Sequence, residues 1–403
     1  MHVIEPPSRK ARRKRRHWPL YVGVGVGLIV ALGTVNYLWP LPAARVSLNV
    51  HVPAATQTHL AWPTSGQAAV AADGYGILGT SGDQTPLATA SIAKVITALC
   101  VLQKAPLALD QTGPAYTVDP TDVALYKSYA DEGGSLVAVQ SGEQMTEYQA
   151  LEALMLPSAN NIADSLVRWV FGSQATYASY ATTFLQQHGI NDTHIGTDAS
   201  GFDPSTTSTA SDLTRVGLLA QQSPILMQIV GQKSAKLPVA NTVTNYNTIL
   251  GQNGIDGIKT GNSQTDMGAF LFSATRQVGK GSVRLTGTVM GAPDLEAALN
   301  ESAQLATSLG QGFQLVNVTG AGQTIGSMQT AWGASAPIAT DSATQLVRWE
   351  NNPITERYQT NTHLLSGAIG TLEVNAGPNN ASTTLRLSHP LVGPSFLWRL
   401  TRH

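Results

Sequence analysis

Cysteine is nearly absent. Cys100 is alone among 403 residues, so the chain can form no internal disulfide, no Cys-based zinc site and no Cys-ligated iron–sulfur cluster. Charge is scarce as well. Charged side chains make up 12% of the sequence, about half the usual share, so the polar surface must rely on Thr, Ser, Gln and Asn. The 9 histidines are scattered, which leaves no His-and-carboxylate cluster at metal-ligand spacing, and nothing in the pattern calls for a cofactor. The formal net charge of -1 hides an asymmetry. Arg9, Lys10, Arg12, Arg13, Lys14, Arg15, Arg16 and Arg45 hold a third of the 24 basic residues, and 16 basic face 24 acidic side chains beyond them. That acidic remainder argues against nucleic acid as a partner. Tandem repeats and low-complexity tracts are missing too. The 42% of hydrophobic residues is ample for a sizeable core, and the length suits two or three domains.

One long hydrophobic run stands out. Leu20 to Trp39 is a 20-residue stretch with no charge. At 1.5 Å per residue it makes a helix that crosses a hydrocarbon core of about 30 Å. Trp18, Tyr21, Tyr37 and Trp39 sit at its two ends, where aromatic belts belong. The basic cluster precedes it, so the positive-inside rule keeps the N-terminus in the cytoplasm and exports everything after about residue 40. Residues 1–45 therefore read as a basic stub and a single-pass anchor in the cell membrane, with the lipid bilayer as partner. The alternative is a cleaved signal peptide and a secreted protein, with Pro42-Ala43-Ala44 as the cleavage region; a signal's apolar region is usually shorter, about 7–15 residues. Residues 46–65, with their prolines, read as a linker.

Residues 66–310 alternate strands and helices in an order that predicts an α+β unit. Ala68–Ala72 and Tyr75–Thr80 read as strands around an Asp73-Gly74 turn. Ser91–Lys104 reads as a helix apolar nearly all round, hence buried, with Cys100 as a small core residue. From about 120 to 230 the pattern is helical. There Thr146-Glu147-Tyr148-Gln149 has capping-box form and opens a helix that ends before Pro157. Gly254–Gly261, Met267–Ala274 and Val283–Met290 read as strands and Asp294–Leu309 as a helix. The expected fold is an antiparallel sheet flanked by helices with an all-helical subdomain. After residue 310 short alternating runs, among them Thr344–Trp349, Ile369–Val374 and Thr383–Leu387, predict a small C-terminal all-β domain over 311–403.

Three short motifs carry chemistry. Ser91-Ile92-Ala93-Lys94 puts a hydroxyl and an amine at i and i+3, on one helix face. Ser91 also opens that helix, where free backbone N–H groups favour developing negative charge. A serine nucleophile needs an adjacent base, and a lysine serves only if burial or a neighbouring cation lowers its pKa. Ser158-Ala159-Asn160 follows between two helices. Lys259-Thr260-Gly261 ends an apolar strand, where Gly261 lets a substrate backbone lie against the strand edge. Each alone reads as a helix cap, a loop serine or a solvated lysine; their order, spacing and context together form the signature of penicillin-binding proteins and class A β-lactamases.

The chain resembles the serine D-alanyl-D-alanine carboxypeptidase family, the low-molecular-mass penicillin-binding proteins, over roughly residues 60 to 395. The likeness extends past the motifs to Leu87-Ala88-Thr89-Ala90-Ser91, Gly133-Gly134-Ser135, Gly142-Glu143-Gln144-Met145-Thr146 and Asn191-Asp192-Thr193-His194. It also covers Ser208-Thr209-Ala210-Ser211-Asp212-Leu213 and Tyr246-Asn247-Thr248-Ile249-Leu250, and at the end of the chain Gly367 to Val374 with Pro390-Leu391-Val392. It implies a penicillin-recognising, transpeptidase/β-lactamase-like fold and the peptidoglycan stem peptide and β-lactam antibiotics as partners.

In that family pattern Ser91 attacks the penultimate D-Ala carbonyl, Lys94 takes its proton and Ser158 relays a proton to the leaving amine. Asn160 binds the substrate amide, Lys259 and Thr260 hold the terminal carboxylate, Gly261 lines the strand edge, and the backbone N–H groups of Ser91 and Asn262 form the oxyanion hole. The expected activity is a D,D-carboxypeptidase that hydrolyses the acyl-enzyme. The alternatives are a D,D-endopeptidase on cross-links and a surface protein that binds peptidoglycan or β-lactam without turnover. A class A β-lactamase is disfavoured, since no glutamate lies between Asn160 and Lys259 to activate a deacylating water. Two departures from the family pattern occur. Asn161 stands where many relatives have Asp. Ala298 stands where relatives carry an arginine that helps hold the carboxylate, with Arg276 as the candidate substitute.

Overall fold

The computed structural model describes residues 18–54, 57–262, 267–350 and 352–402. The N-terminal basic cluster lies outside the described residues. Helix α1 (Trp18–Leu38) is long and apolar enough to cross a membrane, and none of it is buried. Strand β1 (Arg45–Leu48) follows, then the hairpin β2 (Gln67–Ala72) and β3 (Gly76–Ser81). Three short antiparallel pairs punctuate the next stretch: β4 (Leu87–Ala88) with β7 (Thr207–Ser208), β5 (Ala115–Thr117) with β6 (Gln144–Thr146), and β8 (Ser234–Leu237) with β9 (Asn241–Thr244).

Helices fill the space between them: α2 (Ala93–Lys104), α3 (Pro120–Asp131), α4 (Glu147–Met155), α5 (Asn160–Phe171), α6 (Gln174–Gln187), α7 (Ala210–Gln221) and α8 (Pro224–Val230). Their starts are written in the sequence. Asp119 and Thr146 each form a full capping box, and Ser173, Thr209 and Ser223 cap α6, α7 and α8 through their side-chain oxygens.

Strands β10 (Ile255–Asn262), β11 (Gly268–Val278) and β12 (Gly281–Ala292) complete an antiparallel sheet of order β10-β11-β12-β2-β3. Both faces of this sheet are covered, which is why its strands read as almost unbroken apolar runs. Period-2 alternation sends Ala69, Ile258, Leu271 and Met290 into a core shared with the helices. It sends Val70, Phe270, Phe272 and Val289 against α9 (Leu295–Gln311) on the other face. β2 is nearly all alanine because α7 lies close above it: a Cβ on Gly217 would stand 2.5 Å from Thr286 Oγ1. Thr214 on that helix donates to the Ala69 carbonyl at 3.2 Å.

Beyond α9 the chain is β-rich, as expected: β13 (Phe313–Thr319), β14 (Thr324–Gln329), β15 (Ser335–Thr340), β16 (Thr344–Trp349), β17 (Ile354–Thr360), β18 (Ala368–Ala376) and β19 (Asn379–Leu387), closed by the short helix α10 (Phe396–Thr401). Strands β13 and β16 pair with each other, and the rest form a sheet of order β1-β14-β15-β19-β18-β17.

Here the structure corrects the sequence reading. The segment 46–65 is not a free linker. β1 is an edge strand of the C-terminal sheet, with Val46 opposite Met328. Val46, Leu48 and Val50 pack on that sheet's core, while Leu60 and Trp62 pack on the core beneath α9. Arg348 fastens the stretch between by donating to the Pro53 and Ala54 carbonyls, each at 3.1 Å. The alternating apolar residues among the prolines decide the outcome, because burying them outweighs leaving the segment loose.

Candidate active site

The nucleophile candidate sits at a sharp corner. After β4 the chain enters a tight turn at Ala90–Ile92 and runs directly into α2. Ala90 has φ +45°, a backbone conformation that a non-glycine residue adopts only when its surroundings enforce it. The enforcing contacts are visible. Thr89 N–H donates to the Thr206 carbonyl at 3.0 Å, and the Ala90 carbonyl abuts Gly201 so closely that a Cβ there would lie 2.1 Å away. Gly201 itself has φ +70°, so glycine is required on both counts.

At the second residue of α2, Lys94 is fully buried, with 0% exposure. Its ammonium nitrogen makes three hydrogen bonds: to Ser91 Oγ at 2.9 Å, Asn160 Oδ1 at 2.7 Å and the Ser200 carbonyl at 3.0 Å. Burial, with the nearby Lys259 cation, pushes the Lys94 pKa well below that of an ordinary lysine, while Asp198 and Asp164 pull it back up. A lysine so placed can exchange a proton with the serine hydroxyl.

Asn160 opens α5, and its backbone N–H donates to the Ser135 carbonyl at 2.8 Å. Its amide nitrogen lies where a Cβ on Gly134 would come within 2.7 Å, so that glycine makes room for it. Ser158 lies in the tight connection between α4 and α5 at φ +64°. Its hydroxyl is buried and has no hydrogen-bond partner among the described residues. A strained backbone presenting an unpaired hydroxyl marks a site where something else is to be bound.

The third motif lies along β10, an outer strand of the central sheet that pairs with β11 alone. Lys259 is buried, its pKa pulled down to about 7 by desolvation, and it donates to the Thr260 carbonyl at 3.1 Å. A Cβ on Gly261 would come 3.3 Å from both Ile92 Cγ1 and the Thr89 carbonyl, so the strand runs tight against the nucleophile turn. Ser91, Asn160 and Asn262 line one cleft of about 350 Å³, with Gly133, Gly134 and Ser135 on one wall and Gly201, Phe202 and Pro204 on another.

Ser91, Lys94 and Asn160 are joined by hydrogen bonds, Lys259 acts on Lys94, and Asn262 lines the same cleft, whereas Ala298 and Arg276 lie elsewhere. Ala298 is fully buried in the core between α9 and the sheet. Arg276 lies at the far end of β11: Gly268 pairs with Asn262 whereas Ala274 already pairs with Ile255. Its stem packs on the C-terminal end of α9, 3.2 Å from the Cβ position of Gly310. At about 3.4 Å per residue Arg276 is roughly 25 Å from the cleft, so it does not replace the expected arginine.

One element of the site was missed. The loop 198–204 supplies the Ser200 carbonyl and the Phe202 wall, and Asp198 folds it by accepting from the N–H groups of Ser200, Gly201 and Asp203 at 3.2, 2.7 and 2.9 Å. The Asp-x-Ser-Gly run at 198–201 was the available signal, since an aspartate two and three residues ahead of such N–H donors is an Asx-turn pattern.

The family model described as D-alanyl-D-alanine carboxypeptidase matches residues 59–294. The D-alanyl-D-alanine carboxypeptidase DacA of Escherichia coli strain K12 is 27% identical over 211 residues, 51% of this chain and 50% of that protein. The carboxypeptidase DacB2 of Mycobacterium tuberculosis is 31% identical over 186 residues, 44% of this chain and 62% of its own. The chain therefore spans about half the length of the curated relatives it matches.

Among solved structures, penicillin binding protein 5 from Haemophilus influenzae superposes with a TM-score of 0.58 at 18% identity, covering 84% of this chain and 99% of that one. The Streptomyces K15 DD-transpeptidase gives 0.53 at 22% identity, covering 64% and 98%. These likenesses show the penicillin-recognising fold. With more than half its length matched by the family model and a motif-bearing cleft inside the matched span, the chain belongs to the D-alanyl-D-alanine carboxypeptidase family.

Proposed function

We propose that this protein is a serine D,D-carboxypeptidase that removes the terminal D-Ala from peptidoglycan stem peptides and is acylated by β-lactams at the same serine. The observation that carries the reading is the Lys94 nitrogen, buried, 2.9 Å from Ser91 Oγ and 2.7 Å from Asn160 Oδ1. Neutral Lys94 accepts the hydroxyl proton as Ser91 Oγ attacks the carbonyl carbon of the penultimate D-Ala. The C–N bond breaks, and a proton passes from the Lys94 side through the Ser158 hydroxyl to the departing amine. Water then attacks the ester and releases the shortened peptide, and Ser91 recovers its proton.

Asn160 holds the substrate amide. The substrate backbone lies along the outer edge of β10 at Gly261, where Lys259 and Thr260 receive the terminal carboxylate. The N–H groups of Ser91 and Asn262 stabilise the oxyanion. The residues fall into an anchor, a peptidase unit over 66–310 and a β module over 311–403 that also takes in β1. The apolar α1 supports retention in the cell membrane as a single-pass anchor, N-terminus inside and the cleft outside.

Mass spectrometry tests the reading directly. Incubation with a stem pentapeptide ending in D-Ala-D-Ala is expected to release one D-Ala, and labelled penicillin is expected on the peptide bearing Ser91. Intact pentapeptide with labelled Ser91 would demote the protein to a non-hydrolysing binder.

A further inference from the structure

Lys94 has a third partner that the motifs do not announce, the Ser200 carbonyl, and a separate set of residues holds that carbonyl in place. Asp164 lies one turn beyond Asn160 on α5. Its two carboxylate oxygens reach different elements. Oδ1 accepts the Ala199 N–H at 3.0 Å, and Oδ2 accepts the Tyr129 hydroxyl of α3 at 2.7 Å. Ala199 is adjacent to Ser200, and its own carbonyl accepts from Thr97 of α2 at 2.7 Å. The Tyr129 ring meets Phe202 edge-on with centroids 5.5 Å apart, so the loop is braced on both sides of Ser200. Gly134, on the cleft wall, hangs from the Tyr129 carbonyl at 2.8 Å.

We propose that Asp164 is a positioning residue for the base: by tying Ala199 and Tyr129 together it aims the Ser200 carbonyl at the Lys94 nitrogen, and its negative charge opposes the effect of Lys259 on that nitrogen. The inference rests on the carboxypeptidase reading above, because it matters only if Lys94 is the base. The charged groups acting on Lys94 are Lys259 on β10, Asp164 on α5 and Asp198 in the loop, with the Tyr129 hydroxyl held on Asp164. Only Lys259 carries positive charge among them. Asp164 and Asp198 favour the ammonium form, so neutralising either makes Lys94 lose its proton at lower pH.

The test uses the full-length protein in detergent and measures the second-order rate of acylation by a fluorescent penicillin from pH 5 to 10. For Asp164→Asn, the acidic limb of the profile is expected to move down by on the order of half to one pH unit. The plateau is expected to fall about 10-fold, because the Ser200 carbonyl is no longer held. Asp164→Glu keeps the charge, so its limb should stay at the wild-type position while its plateau falls. Tyr129→Phe should likewise lower the plateau without moving the limb. If Asp164→Asn gives a profile that superimposes on wild type, or one lowered with its limb unmoved, the proposal is overturned. Should that variant fail to show a cooperative melt, wild-type rates in both Asp164→Glu and Tyr129→Phe overturn it instead. A wild-type protein that penicillin does not acylate would overturn the carboxypeptidase reading itself, a result distinguishable from any of these.

Discussion

Replacing Asn160 with aspartate tests whether Lys94 must be neutral to act. The exchange is isosteric. The oxygen that now accepts from Lys94 at 2.7 Å keeps its place but gains a negative charge, in a spot only 2% exposed. An opposite charge at such range raises a lysine pKa by about 1–3 units. That is roughly 1.4–4 kcal/mol in favour of the ammonium form. The base is the uncharged amine, so below the acidic limb each unit removes a decade of active enzyme. Acylation of Asn160→Asp by a fluorescent penicillin, measured at a pH below the wild-type acidic limb, should therefore fall roughly 10- to 1,000-fold, and the deficit should shrink as pH rises and Lys94 is finally deprotonated. Asn160→Ala serves as the contrast: it removes an acceptor of the Lys94 ammonium without adding charge, so its acidic limb should not move up. An Asn160→Asp profile whose limb coincides with wild type, or whose deficit does not shrink as pH rises, would refute the claim that the Lys94 proton controls the reaction.

Further expectations follow from individual positions. Ser91→Ala should abolish covalent penicillin labelling while leaving the melting temperature within a few degrees of wild type, since the change is small and the turn is held by main-chain contacts; residual label after denaturing electrophoresis would count against it. Ala298→Arg should not restore a carboxylate clamp. Its Cβ faces a core with 0% exposure, so the variant should melt at markedly lower temperature or fail to fold, and a gain in kcat/KM on a D-Ala-D-Ala peptide would overturn this placement. Glu147→Gln should stabilise the protein at pH 8. Burial raises that carboxyl from 4.5 to about 7 and neither oxygen has a partner among the described residues, so the folded state loses stability as pH rises from 4.5 to 7 and carries the full penalty above that. The Tm gain should be about 2–4 °C at pH 8 and shrink toward pH 5, where the wild-type group is protonated; calorimetry at the two pH values checks the sign.

Much of the site was legible because its chemistry resides in side chains at fixed spacing. Ser91 and Lys94 share a helix face by periodicity alone. The capping box at Thr146 fixed where α4 begins and so where Ser158 falls. Lys259 and Gly261 could be placed because an apolar run ends at them. What escaped is carried by the main chain. A carbonyl such as that of Ser200 has no residue type, and the Asp164–Tyr129 contact that aims it joins residues 35 apart in sequence. The linker reading failed for a related reason: Val46 and Leu48 look like any two apolar residues among prolines until a distant strand offers them a surface. Ala298 was placed by alignment to a pattern, which says which turn of a helix is meant but not which face is covered.

Strand β1 has a consequence for how the chain can be cut. Because residues 45–48 belong to the same sheet as β14 and β15, the β module is discontinuous, and the central sheet with its helices is an insertion between its first strand and the rest. A soluble version begun at the hairpin near residue 66 would strip β14 of one of its two partners. That would open a row of backbone donors and acceptors at a new sheet edge and uncover the apolar side chains on which Val46 and Leu48 rest. Such a protein should self-associate even though its cleft is intact, whereas one begun at Ala44 retains the strand and should remain monodisperse by size-exclusion chromatography.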